Sequence, residues 1–171
     1  LRAVRGGSWP GVENGEPNIF KGVDFNYHLA MKYMEKKMPK EAEEALSRVL
    51  EVDSGHEEAR LERGKIYLSS SQFFKAGKDF ELLIEKYPES PMPYYQMGVL
   101  FSRQGNLNAA NHFISQAVSL DPAESFFRIG LARSLGKLGR FSESLDHYRL
   151  VLERGDERSE EHTSELQSPD H

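Results

Sequence analysis

Cysteine is absent from the chain, which removes a thiol nucleophile, a disulfide framework and thiolate metal sites together. Long apolar runs are absent too: nothing approaches the ~18 consecutive apolar residues that a membrane span needs. A strong charge of either sign is also lacking. The 22 Lys and Arg against 27 Asp and Glu give a formal charge of -5 over 171 residues. Setting aside Arg158–His171, for reasons given below, leaves 21 basic and 23 acidic residues, a charge of -2. Such a balance argues for neither nucleic acid nor an anionic membrane as a partner. With 38% hydrophobic and 29% charged residues the composition is that of a globular chain, long enough for one domain.

The chain does contain a period. In PMPYYQMGVLFSRQGNLNAANHFISQAVSLDPAE, counted from Pro91 as position 1, Tyr94, Met97, Gly98 and Phe101 stand at 4, 7, 8 and 11. Ala110, Ile114, Ala117 and Pro122 follow at 20, 24, 27 and 32. Thirty-four residues earlier the same classes return as Gly64, Tyr67, Ala76, Phe80, Leu83 and Pro88, and one step before that as Leu29, Ala30, Tyr33, Ala42, Leu46 and Val49. One step later they are Leu131, Ala132, Leu135, Ser144, Tyr148 and Val151. The offsets 4, 7, 8, 11 and 20, 24, 27 each describe one face of a helix. Every unit is therefore expected to be two amphipathic helices. Small residues at 8 and 20 let the pair approach, and the larger residue at 24 is expected to fill space toward the next unit.

A 34-residue period with small residues at these offsets resembles the tetratricopeptide repeat. The resemblance implies an all-α fold, a right-handed α-solenoid of tandem helix-turn-helix repeats, here 23–56, 57–90, 91–124 and 125–157. It identifies an architecture that serves many functions. Within the repeats, Asp24 and Asn26 are available as caps for the first helix, and Met38-Pro39 marks a turn. Ser90 is placed to cap the helix that Pro91 and Pro93 open, with Asp121-Pro122 doing the same one repeat later. Gly105 and Gly139, both at position 15, provide tight turns.

Two segments fall outside the period. Residues 1–22, with five glycines and two prolines, read as irregular or as the end of a truncated upstream region. Arg158 to Ser168, RSEEHTSELQS, is similar to the in-frame translation of a common sequencing adapter, so 158–171 reads as a non-native tail.

Catalytic patterns fail on inspection. His56-Glu57 opens like a zinc-protease motif, but Arg60 stands where the second ligand belongs. His28, His112 and His147 lie in different repeats with no shared carboxylate spacing. Gly64-Lys65 lacks the remainder of a phosphate loop. The glutamates of 41–62 read as a solvated face. The chain is read as non-enzymatic, with no metal or other cofactor.

What remains is a groove. In the resembled family the first helix of each repeat lines a concave surface through positions 2, 5, 9, 12 and 13. Carried over, this implies a peptide-binding set of Tyr27, Met31, Leu61, Lys65, Met92, Tyr95, Val99, Arg103, Phe126, Ile129, Arg133 and Lys137. The family's chaperone-tail clamp wants Lys, Asn and Arg where this chain has Tyr27, Met31, Met92 and Gln96, so that ligand is not expected. The ladder Tyr27, Leu61, Tyr95, Ile129 reads as an apolar peptide track. Tyrosine at position 5 also serves packing in such repeats, and the residues leave both readings open. The expected function is a protein-interaction scaffold that binds a peptide segment of a partner. The alternative is a non-catalytic arm of a larger enzyme such as a glycosyltransferase.

Overall fold

The computed structural model describes the backbone of residues 12–13, 16–17 and 19–165 and the side chains of 22–155. Among the described residues, eight helices follow one another: α1 (Ile19–Glu35), α2 (Pro39–Val52), α3 (Glu57–Ser69), α4 (Phe73–Lys86), α5 (Pro91–Arg103), α6 (Leu107–Leu120), α7 (Ser125–Lys137) and α8 (Phe141–Glu165). Two short antiparallel strands precede them, with Val12 opposite Pro17 and Glu13 opposite Glu16. The first helix starts at Ile19, ahead of the repeat register. Asp24 and Asn26 consequently lie inside α1 and cap nothing; Asn26 Nδ2 donates to the Gly22 carbonyl at 2.7 Å. At the other end α8 runs past residue 157 into the segment set aside as a tail. Residues 1–11, 14–15, 18 and 166–171 lie outside the described residues.

The chain divides into two compact units, Leu1–Leu83 and Ile84–His171. In the first, Ala30, Ala42, Leu46 and Val49 are fully buried between α1 and α2, with Ala59 and Ile66 of α3 joining the same cluster. In the second, Tyr95, Ile114, Ala117, Val118, Phe127, Leu131 and Leu135 form the core.

The small positions behave as the period predicts. Ala30 and Ala132 at position 8, and Ala42, Ala76 and Ala110 at position 20, have no exposed surface. Ser144 replaces alanine in the last repeat, and its hydroxyl donates to the Ala132 carbonyl at 2.7 Å, so the polar atom is satisfied. At position 24, Phe80 and Ile114 press on the position-8 glycines of their own repeats, Gly64 and Gly98, and Ile114 also joins the core formed with Phe127, Leu131 and Leu135 of the next repeat. Glycine and a large residue thus form complementary halves of one contact.

Position 15 has positive φ in all four repeats: 57° at Lys37, 59° at Ser71, 81° at Gly105 and 78° at Gly139. The next amide donates five residues back each time, Met38 to Tyr33, Gln72 to Tyr67, Asn106 to Phe101 and Arg140 to Leu135, at 2.8–3.0 Å. Each first helix therefore ends in the same Schellman cap, which ties the turn to the last helical carbonyls. Starts of helices are less uniform. Ser90 occupies the cap position of α5 but makes no side-chain capping bond, because Pro91 and Pro93 remove N–H groups that would need one. Asp121 Oδ1 accepts from the amides of Ala123 and Glu124, and Glu124 rather than Asp121 caps α7.

A second recurring contact joins successive repeats. The side chain at position 4 donates to the carbonyl six residues upstream: Arg60 to Ser54 at 2.6 Å, Tyr94 to Pro88 at 3.1 Å and Arg128 to Pro122 at 2.9 Å. Arginine and tyrosine are long enough for the same reach.

Candidate peptide-binding face

Within the second unit, α5 and α7 carry most of the expected groove. Tyr95, Val99, Ser102, Arg103, Arg133 and Lys137 line one cavity of about 190 Å³, together with Ile114, Gly130 and Ser134. Met92 and Phe126 line a second cavity of about 510 Å³ with Pro91, Asp121, Glu124 and Phe127. Ile129 is half-buried and lines neither.

Tyr95 lines the first cavity and packs on Phe126 and Phe127, which line the second. It is only 8% exposed, and its ring lies 4.6 Å from that of Phe126 and 5.5 Å from that of Phe127. Gly130 makes room for it: a Cβ there would fall 2.4 Å from Tyr95 Cε2. The sequence left open whether position 5 packs or binds. Here it packs, as a wall of the cavity, and burial pushes its phenol pKa up while Arg133 pulls the other way. Phe126, 45% exposed, is the ring that faces solvent.

Charge is distributed unevenly along this face. The sequences of α5, α6 and α7 contain no Asp or Glu, while α5 ends in Arg103 and α7 carries Arg128, Arg133 and Lys137. Lys137 Nζ donates to Ser102 Oγ at 2.9 Å, bridging the two helices.

The expected groove residues of the first unit are arranged differently. The Tyr27 ring stacks on His56, centroids 4.9 Å apart, and Met31 packs against the α1–α2 core. Leu61 is half-buried, and Lys65 Nζ is paired with Glu62 at 2.7 Å. Burial, then the nearby Glu62 and Glu58, raise the pKa of Tyr27. His56 caps α3, its Nδ1 accepting from the Ala59 amide at 3.3 Å.

Sequence reasoning missed Ile114, Gly130 and Ser134 as cavity residues. The signal for two of them was present in the alignment of repeats: Gly130 stands where His28, Glu62 and Gln96 occupy position 6, and Ser134 where Ile66 and Leu100 are buried at position 10. Reasoning from spacing also missed Asp79. It is 3% exposed and accepts two hydrogen bonds from Arg63, at 2.7 and 2.9 Å, and one from Arg60 at 3.3 Å. Those bonds raise the Arg63 guanidinium above its already high ordinary pKa. No group of three or more His, Asp or Glu able to hold a metal ion occurs among the described residues. No helix there is long and apolar enough to cross a membrane.

Paired helices with identical caps, repeated in tandem, define an all-α repeat solenoid. Comparison with known sequences is specific: models described as tetratricopeptide repeat match residues 23–56, 58–90 and 93–124, more than half of the chain. The chain belongs to the tetratricopeptide repeat family. A stretch of 110 residues is 26% identical to DnaJ homolog subfamily C member 3 of Rattus norvegicus, and 28% to that of Gallus gallus, covering 64% of this chain and 22% of each relative. The chain thus spans about a fifth of the length of the curated relatives it matches. Among solved structures, a crystal structure of MamA superposes with a TM-score of 0.71 at 18% identity over 81% of each chain. MamA 41-end from Desulfovibrio magneticus RS-1 gives 0.70 at 21% identity, over 80% of this chain and 76% of that one. At such identities the likeness is one of fold. The fourth pair, α7 and α8, lies beyond the matched residues but has the same Schellman cap at Gly139.

Proposed function

We propose that this repeat scaffold binds a peptide segment of a partner protein along α5 and α7, with its main apolar anchor at Met92 and Phe126. The observation that carries the reading is the position of Tyr95. Its buried ring lines the cavity at the basic end and lies 4.6 Å from the ring of the exposed Phe126, which lines the other, so the aromatic pair leads from one cavity toward the other. An exposed aromatic beside a rigid buried one is the arrangement from which interface anchors are made. No comparison favours the alternative of an arm on a glycosyltransferase.

The test is a peptide-array or pull-down comparison of the parent with Phe126→Ala and Met92→Ala. Both side chains are at least partly exposed, so the variants are expected to fold, whereas truncating Tyr95 would damage the core. Loss of an anchor contributing about 2 kcal/mol would weaken capture roughly thirtyfold. Equal capture by parent and variants sinks the reading.

A further inference from the structure

We propose that the cavity between α5 and α7 is an oxyanion receptor, taking a carboxylate or phosphate group through Arg133 and Lys137. It deepens the preceding reading by naming the chemistry at one end of the peptide, and it rests on that reading only for the anion's being part of a peptide.

None of the residues lining the cavity is acidic, and three consecutive helices, α5, α6 and α7, have no carboxylate in their sequences. Lys65 in the first unit shows the ordinary alternative, a lysine satisfied by a glutamate on its own helix. Arg133 and Lys137 stand four residues apart on α7, a spacing at which like charges repel. That arrangement is unfavourable until an anion lies between them. Lys137 also occupies the last turn of α7, where a cation complements the helix dipole. That dipole end amounts to about half a charge, so it offsets only part of the two positive charges on α7.

The remaining lining suits an oxyanion. Lys137 is already held toward α5 by Ser102 at 2.9 Å, which fixes its ammonium over the cavity. Ser134 is 5% exposed, lines the cavity, and its hydroxyl has no hydrogen-bond partner, an exception for a buried polar group. Gly130, packed against the Tyr95 ring, adds no side chain to the lining where position 6 of the other repeats has His28, Glu62 and Gln96. The face that binds here lies at positions 9 and 13 of the repeat, so it does not reproduce the chaperone-tail clamp whose positions Tyr27, Met31, Met92 and Gln96 occupy.

The test uses small anions, so that it stands apart from peptide capture. Inorganic phosphate and acetate are titrated at constant ionic strength into the labelled chain, following amide resonances by nuclear magnetic resonance. The same titrations use Arg133→Gln/Lys137→Gln and a charge-matched control, Lys32→Gln/Lys36→Gln, whose side chains are exposed on or just after α1. The expected result is a saturable shift centred on Gly130 and Ser134, weakened at least about tenfold in the first variant and unchanged in the control. Phosphate binding without acetate binding would assign the site to a phosphorylated side chain, and binding of both to a carboxylate as well. Shifts that do not saturate, or that the two variants alter equally, overturn the receptor. If peptide capture fails while phosphate still binds at Gly130, the peptide reading falls and the receptor stands.

Discussion

A Cβ placed on Gly64 would lie 2.5 Å from Cε1 of Phe80, closer than real Cβ atoms come to any neighbour. The ring is fully buried and cannot swing aside into solvent. Gly22 is the opposite case, a helical glycine with nothing within 4 Å of its missing Cβ. Alanine at Gly64 is therefore expected to overpack the α3–α4 contact by ~1–3 kcal/mol, offset in part by a helix-propensity gain of ~1 kcal/mol. Alanine at Gly22 should show the gain alone. Urea denaturation of the two variants checks the contrast, and a Gly64→Ala variant as stable as Gly22→Ala would contradict the packing described.

Lys37 and Ser71 hold the left-handed turn that Gly105 and Gly139 hold without a side chain. A non-glycine residue pays roughly 1–2 kcal/mol in that region, against ~0.5–1 kcal/mol of extra chain entropy lost by glycine. Lys37→Gly and Ser71→Gly should each stabilise the chain by about 0.5–1 kcal/mol, and Gly105→Ala should destabilise it by a similar amount. Thermal melts of the three variants decide the matter; a drop for Lys37→Gly would mean that its side chain contributes more than the turn costs.

Asp79 is the buried member of a charge cluster whose arginines keep side-chain exposures of 15% and 19%. Removing the carboxylate leaves two guanidinium groups over an apolar core. Asp79→Ala should cost about 3 kcal/mol, the low end for a broken buried pair because the arginines retain some water. Asp79→Asn, which keeps acceptor geometry on one oxygen, should cost less. A loss under ~1 kcal/mol for Asp79→Ala would place the pair among ordinary surface bridges.

His147 gives the chain an acid-sensitive element. Burial, and then the Arg128 guanidinium 3.5 Å away, lower its pKa from the ordinary 6.5, opposed by Asp146 and Glu143. The unfolded chain binds this proton first as pH falls, so stability is full above the ordinary value and declines below it until the folded value is reached. Between roughly pH 7 and 5 the denaturation midpoint should fall, with a shallower slope in His147→Gln. Identical slopes for parent and variant would show that His147 is equally solvated in both states.

Much of the helical architecture was readable because it rests on spacing. Positions 8, 20 and 24 are buried by any stacking of two helices three or four residues out of phase, so Ala30, Ala110 and Phe80 were recognisable without coordinates. The Arg60, Arg63 and Asp79 cluster was not, because its partners are 16–19 residues apart and meet only when α3 lies on α4. The turn at Lys37 and Ser71 was hidden for another reason. Side-chain identity signals positive φ only when it is glycine, whereas the repeat register assigns the conformation to all four positions. At the candidate site the row containing Val99, Arg103, Arg133 and Lys137 was legible as a row, but Tyr95 was open to two roles until Gly130 and Phe126 were seen around it.

The contacts from Arg60, Tyr94 and Arg128 to the carbonyls of Ser54, Pro88 and Pro122 share one property: the acceptor is main chain in every case. A side-chain acceptor would oblige neighbouring repeats to change together, since each donor would need its own partner. A carbonyl is supplied by any residue, proline included. The hinge between units of sequence is therefore generic, so a repeat copied, deleted or moved within such a gene meets a compatible neighbour from the start, and its groove residues are free to diverge afterwards.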